Sequence, residues 1–454
     1  MFVFLTLSHL VSCWSTVDVD RLLQFSPNVS DSTSFGSTRA SFDSALGDFN
    51  SKPDSNQAVI VDLEKITLDE LKKHLNVSSP IIIQVPEKQI DTSELEKLLL
   101  KSGHKSPIYF AYGNQKIPTN YTYVKTIENP SNSGLKKVKL QNVVATMNSS
   151  KTFDRQRIAI ISAPFDSFSV VPSANIGANR NGIALAAFLE SMRLVSKFPV
   201  TNNWVLMFAL VDGQYCAMEG LEHFINSIST PHGFSVEFAL SLENIASKTL
   251  KGHFATKLKR DSAFTKFMYC LKDALNTTGI PFECDLSEEK HGQLVYGSHL
   301  LSAISITAPE EEDDLAHITD FKSDDERAND IAWAVSEALL RMMYNTDNSA
   351  VMVERRSVNA IYWTKVAMQP RMVHVRDPKY VDTIAQWMSK FGQVKIDRWT
   401  TTNCPKLYSA TKSKIVLYNR TPASVTLTII IGTIIYGIIV LLAVGRQKLQ
   451  KFFN

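Results

Sequence analysis

RIAIISAPFDSFSVVPSANIGANRNGIALAAFLESMRLVSKF, residues 157–198, is the stretch whose reading decides the fold. Arg157 to Ser162 is a short β-branched run of the kind that makes a buried strand, and it ends at Ala163-Pro164-Phe165-Asp166, where the chain must turn. A loop closes at Gly177-Ala178-Asn179-Arg180-Asn181-Gly182. From Ile183 to Phe198 apolar residues fall at helical spacing, with Glu190, Arg193 and Lys197 on the other face. Strand, loop and crossover helix together predict an open α/β sheet. In such sheets chemistry sits on loops leaving the carboxyl ends of the strands, so a site is expected here.

Outward from this unit the same alternation continues. Trp204 to Val211, Val236 to Leu242 and Leu301 to Thr307 read as strands; Met218 to Ile228, Ser262 to Leu275 and Asp324 to Tyr344 read as helices. The expected fold class is therefore α/β, a doubly wound, mostly parallel sheet over residues 156–346. Upstream, strands at Ala58–Leu63, Pro80–Val85 and Ile108–Tyr112 alternate with helices at Leu68–Leu75 and Thr92–Lys101. This predicts a small parallel α/β subdomain within 56–150, followed by edge strands or a linker over Tyr121–Met147. Residues 16–55 are rich in Ser, Asp and Asn and read as loosely ordered chain. Past Tyr344, residues 347–422 form a juxtamembrane segment, where Tyr380, Ile384, Trp387, Met388 and Phe391 share one face of a helix starting near Pro378. Packing within the protein, on a membrane or on a partner would each suit that face.

The chain has 454 residues and a net charge of +3, with basic residues spread out rather than striped between aromatics, which gives no case for nucleic acid. Residues 1–15 are an apolar run too short to span a bilayer and placed as a signal peptide. Residues 423–444 are uncharged and rich in Ile, Val and Leu; at about 1.5 Å per residue they cover roughly 33 Å, enough for one transmembrane helix. The tail, 445–454, carries Arg446, Lys448 and Lys451, as a cytosolic end would. The body is then lumenal or extracellular. Sequons at Asn28, Asn76, Asn120, Asn148 and Asn276 suit glycosylation on that side, whereas Asn419 lies too near the span. Of the cysteines, Cys13 leaves with the signal peptide, and Cys270 and Cys284 could be bridged or free. No cysteine spacing makes a zinc knuckle or a redox pair.

A strand ending in His-x-Asp, then Gly-Ala-x-Asp-x-x-Ser-Gly, then a helix is the signature of the co-catalytic zinc aminopeptidases. Ala163-Pro164-Phe165-Asp166 followed by Gly177 to Gly182 resembles it with the metal chemistry removed. The order of elements and the membrane span resemble more closely the nicalin type, endoplasmic-reticulum relatives of nicastrin. A two-zinc hydrolase needs two His ligands, a bridging Asp, further carboxylates and a Glu base. On that pattern Pro164 stands for the first His, Asp166 is the carboxylate that would orient it, and Asn179 stands for the bridging Asp. Asp212 is the one carboxylate where the family has two, Glu243 matches a ligand in type, and His317 lies near the late His. Neither a catalytic residue nor a metal or other cofactor is expected. Other constellations fail too: Ser298 beside His299 is no triad, and the acidic run Glu310–Asp314 lacks the glycine and terminal glutamate of a calcium loop.

The resemblance implies a non-catalytic scaffold in the endoplasmic-reticulum membrane, single-pass with a lumenal body. Its implied partners are a Nomo-like lumenal membrane protein, a small multi-pass membrane protein and the translocon, and its implied work is biogenesis of multi-pass membrane proteins and receptor assembly. Two rivals are a lumenal metallopeptidase with altered zinc ligands and a nicastrin-like substrate receptor.

Overall fold

The computed structural model describes residues 14–26, 35–37, 41–100, 103–113, 117, 121–127, 137–148, 156–171, 174, 176–201, 203–228, 234–256, 262–288, 291–309, 317–346, 350–404, 406–407, 412–419, 427 and 429–442. Two sheets dominate it. Strands β1 (Trp14–Arg21), β4 (Asp43–Gly47), β5 (Gln57–Asp62), β6 (Ile81–Val85), β8 (Ile108–Tyr112), β9 (Tyr123–Ile127) and β19 (Lys412–Tyr418) close a barrel in the order β1-β19-β9-β4-β5-β6-β8. Its parallel part, β4-β5-β6-β8, contains the expected β-α-β-α-β run, with helices α1 (Leu68–Asn76) and α2 (Ser93–Leu100) as crossovers. Antiparallel β1, β19 and β9 close the circle. Alternation explains the closure: Val17, Val19, Val124, Ile415 and Leu417 point inward and form one core with Ala58, Ile82 and Tyr109.

Three sequence boundaries are corrected by this barrel. Residues 16–55 are not loosely ordered throughout, since they hold most of β1, all of β4 and two short strands, β2 (Gln24–Ser26) and β3 (Phe35–Ser37). With β7 (Gly103–His104) and β18 (Lys406–Leu407) these make a small sheet ordered β18-β2-β3-β7. The segment 347–422 is no mere connection, because it supplies strands to both large sheets. Nor is the subdomain confined to 56–150: three of its seven strands lie wholly outside that range, at 14–21, 43–47 and 412–418.

The second sheet combines β10 (Val138–Asn148), β11 (Gln156–Pro164), β12 (Trp204–Val211), β13 (Phe234–Leu242), β14 (Leu250–Phe254), β15 (Phe282–Leu286), β16 (Ala303–Thr307) and β17 (Gln393–Thr401), in the order β15-β14-β16-β13-β11-β12-β10-β17. β10, expected as edge or linker, pairs along its length with β17 and continues onto β12. The large domain thus starts near 138 rather than 156. Its centre, β12-β11-β13-β16, is parallel.

Helices cover both faces. On one lie α3 (Gly182–Val195), α5 (Ala263–Thr277), α7 (Asp325–Tyr344), α8 (Ile361–Ala367) and α9 (Lys379–Met388), sharing the largest core with β11 to β13. On the other lie α4 (Glu219–Ser227) and α6 (Gly292–Ser298). Tyr380, Ile384 and Met388 of α9 are buried in the large core, so this face packs within the protein. Helix α3 is enclosed almost all round, so the face expected to carry Glu190 opposite the apolar one is covered as well. Glu190 is fully buried, where it accepts bonds from Arg193, the Asn359 N–H (2.7 Å) and the Trp363 indole (3.3 Å).

Cys216 and Cys404 form a disulfide across 188 residues, while Cys270 and Cys284 are in no disulfide. The sequence-near pair is not joined because Cys270 turns into the core from α5, whereas Cys284 is exposed on the edge strand β15. β17 instead carries the chain back along β10, beside the loop that follows β12.

Among the described residues no helix is long and apolar enough to cross a membrane. Within the expected span 423–444, residues 429–442 are helical and expose Ile430, Ile434, Ile438 and Leu441. The expected signal peptide lies outside the described residues up to position 13, and its last two residues begin β1. Asn28, Asn120, the acidic run 310–314 and the tail 445–454 also lie outside them; Asn76, Asn148 and Asn276 are exposed and Asn419 half-buried.

Candidate functional site: a closed metal-centre position

Strands β11, β12 and β13 end side by side, with Pro164 opposite Val211 and Ser162 opposite Ser241. Asp166, Asp212 and Glu243 are therefore gathered at one sheet edge, as expected for an open α/β fold. All three are buried. The question is what compensates their charge.

For Asp212 it is arginine. Arg376, on the segment before α9, donates Nη1 to Oδ1 at 3.0 Å and Nη2 to Oδ2 at 2.7 Å. The Gln141 and Gly213 N–H groups, each at 3.0 Å, complete the carboxylate's shell. The guanidinium also lies 4.8 Å from the centre of the Phe165 ring. Burial pulls down the Arg376 pKa, but the charge of Asp212 and the bonds to it hold it above its usual value. A planar fork matched to a carboxylate supplies the positive charge at this strand end.

Asp166 has no such partner. Its Oδ1 is buried without a hydrogen bond, and its pKa is pushed up to about 7, first by burial and then by repulsion from Asp212. The Gln214 N–H and the charge of Arg376 oppose that rise. Asp166 can thus hold a proton near neutrality.

Glu243 accepts from the Gly292 N–H at 2.9 Å and the Ser305 hydroxyl at 3.0 Å, and lies 3.6 Å from His291 Nδ1. Burial alone would raise its pKa; the bonds from His291, Ser241 and Gly292 leave it lowered. A Cβ at Gly292, the first residue of α6, would stand 2.7 Å from the Glu243 carboxylate and 2.9 Å from the Ser241 hydroxyl, so a larger residue there would displace them. Between Pro164, Asp212, Gln214 and Glu243 only about 10 Å³ of cavity remains, room for at most one water. Paired zinc ions do not fit it. Pro164 offers no donor atom, Asp212 is saturated by Arg376, and among the described residues no group of three or more His, Cys, Asp or Glu is placed to hold a metal.

Two expected site residues lie elsewhere. Asn179, read as the bridging position, puts its N–H on Asp320 Oδ1 at 2.8 Å, beside the Arg180 N–H on Oδ2 at 2.9 Å, and lines an open cleft of about 760 Å³ with His317 and Asp320. Asn181 is the loop residue that enters the centre. Held in the left-handed region (φ 58°) before α3, it donates Nδ2 to the Asp166 carbonyl at 3.1 Å and to Gln214 at 2.5 Å, and accepts from the Asn244 N–H at 3.3 Å. In the signature Gly-Ala-x-Asp, moreover, counting from Gly177 places the acid at Arg180. His317 has become a clasp to the barrel: its Nδ1 lies 3.2 Å from Glu96 of α2, whose other oxygen accepts the Ile318 N–H at 2.7 Å. Neither Ser298 nor His299 touches the other in a triad, since Ser298 donates to Val295 and His299 contacts Glu222.

The chain matches peptidase family M28 over residues 142–311. Over 89% of its length it superposes on 99% of the gamma-secretase component nicastrin, with a TM-score of 0.63 and 12% identity. The chain is nicastrin-like in fold. Aminopeptidases from Aneurinibacillus sp. strain AM-1 (TM-score 0.36, 12% identity, 75% of this chain and 87% of that one) and from Bacillus subtilis (0.35, 11%, 79% and 90%) are more distant. No curated protein matches the sequence.

In this nicastrin-like fold, the residues missed by sequence reasoning are Arg371 and Arg376. Arg371 is fully buried and donates Nη2 to the carbonyls of Gly177 at 2.7 Å and Arg180 at 2.9 Å, fixing the loop that Asp320 grips from its N–H side. Both arginines lie over 160 residues from their partners. The only local hint is the pair of arginines flanking Met372, Val373, His374 and Val375.

Proposed function

We propose that the chain is a non-catalytic scaffold subunit of the nicalin type, anchored in the endoplasmic-reticulum membrane by residues 423–444 with its body in the lumen. On this reading it associates with a Nomo-like lumenal membrane protein and a small multi-pass partner beside the translocon, aiding the biogenesis of multi-pass membrane proteins and receptor assembly. The observation that carries the loss of catalysis is the Arg376–Asp212 pair, which puts a fixed side-chain cation where a hydrolase of this fold would need an exchangeable metal. The uncharged composition of 423–444 and the exposed apolar side chains of 429–442 support the anchor.

Zinc content and aminopeptidase turnover of the purified full chain test the absence of catalysis. Substoichiometric zinc and no turnover are expected, and one zinc or more per chain, lost on Glu243→Ala, would make it a metallopeptidase instead. Proteins that co-purify in mild detergent test the scaffold role. A second reading, a substrate receptor of an intramembrane protease, is favoured by the 99% coverage of nicastrin, and recovery of a protease rather than translocon components would select it.

A further inference from the structure

The outer surface of the barrel changes character along its strands. Trp14 pairs with Tyr418, and Tyr418 with Tyr123, so three aromatic residues lie directly opposite one another on adjacent strands β1, β19 and β9. Directly opposed residues share a face. Since Val17, Val19, Val124, Ile415 and Leu417 fill the barrel, the period-two alternation turns these three outward. Trp14 is 56% exposed, and the Tyr123 and Tyr418 rings meet edge to face at 6.3 Å. Two rows further along the same strands the outer face carries the Asp18–Lys414 ion pair at 3.6 Å. One row from the aromatic residues it already carries the Lys125–Asp43 pair at 3.0 Å, so the face turns from aromatic to charged within about 7 to 13 Å.

The aromatic row is also where the chain leaves the barrel. Tyr418 is the last residue of β19, and the described helical residues resume at Leu427. Nine residues of extended chain reach at most about 30 Å. Trp and Tyr, apolar in body and polar at the tip, collect at the boundary between headgroups and acyl chains.

Resting on the anchor reading above, we infer that this end of the barrel is a bilayer-seating surface, with Trp14, Tyr418 and Tyr123 in the lipid headgroup interface and the Asp18–Lys414 pair held in water. One consequence concerns maturation. Trp14 and Ser15 are paired in β1, so a leader must be removed before Trp14, not after Ser15.

The full chain reconstituted in phosphatidylcholine vesicles that contain a headgroup-nitroxide lipid tests this. The Trp14 emission, taken as the difference between wild type and Trp14→Phe, should fall at least about twofold with the quencher. A reporter introduced as Ile127→Trp in the Trp14→Phe background, four residues along β9, should lose much less. Vesicles are washed in alkaline carbonate first. If the protein stays with the lipid and Trp14 is unquenched, or is quenched no more than the position-127 reporter, the seating surface is wrong while the anchor stands. If carbonate extracts the protein, the anchor fails and the inference falls with it. Amino-terminal sequencing of the mature chain should begin at or before Trp14; a start at Thr16 would also overturn the proposal.

Discussion

The centre at the ends of β11, β12 and β13 and the cleft outside it are built from the same loops, yet they differ in kind. The centre holds three buried carboxylates: Asp212 and Glu243 line about 10 Å³ of space and are hydrogen-bonded from within the chain, and Asp166 beside them keeps one oxygen without a hydrogen bond. The cleft holds about 760 Å³ lined by Asn179, His317, Asp320, Lys322 and Asp324, open to solvent. The centre is thus closed while the depression beside it stays open. Its charge is met by a guanidinium covalently tied to the chain at Arg376 and by a raised pKa at Asp166. A tied cation stabilises the fold but cannot activate water, so the inner region should be sensitive to substitution and the outer tolerant.

The largest effect expected is at Arg376. Arg376→Ala leaves the Asp212 carboxylate buried and unpaired, and should lower stability by about 3–5 kcal/mol in chemical denaturation. Arg376→Met with Asp212→Asn should cost less than the single change, because no charge is stranded. If the single change costs under about 1 kcal/mol, the pair is not what holds the centre closed.

The two regions also differed in how far the sequence exposed them. The strands below the centre were legible because each is a continuous apolar run, such as Trp204–Val211, and the helices because their apolar spacing is regular. Asp166 and Glu243 follow strand ends, so their convergence was legible too. Arg376 was not, because nothing in a segment's own pattern records a partner 164 residues away. The same reason hid the barrel: β1, with Val17 and Val19 between Asp18 and Asp20, has the alternation of a strand, but its closing partner β19 lies near the far end of the chain. Strand β15 was hidden differently, since Glu283, Cys284, Asp285 and Leu286 are all exposed at a sheet edge and no apolar face marks it.

A smaller effect, with a pH signature, is expected at Asp166. Its folded-state pKa of about 7 lies above the roughly 3.9 of an unfolded aspartate, so the folded chain binds the proton more tightly. Stability from this group is fully present below about pH 4 and is lost as the pH rises through about 7. Asp166→Asn should remove that slope, raising stability at pH 8 by on the order of 1 kcal/mol or more and changing it little at pH 4. A gain confined to acid would reverse the sign and show that the carboxylate is ionised in the fold.

The smallest effects belong to the cleft. Lys322 lines it, exposed and on a loop, and Lys322→Ala should move stability by no more than about 0.5 kcal/mol. Asn179→Asp restores a carboxylate at the position read from sequence as bridging, yet its backbone is held on Asp320 and its place is the cleft wall, not the closed centre. Zinc titration of Asn179→Asp should therefore show no binding beyond wild type. Stoichiometric uptake would mean that the loop can swing Asn179 inward past Asn181 and that Arg376 yields Asp212 to a metal. The distinction between a sealed centre and a permissive cleft would then describe one conformation of a convertible site, because a guanidinium displaced by zinc is a weak plug rather than a permanent replacement.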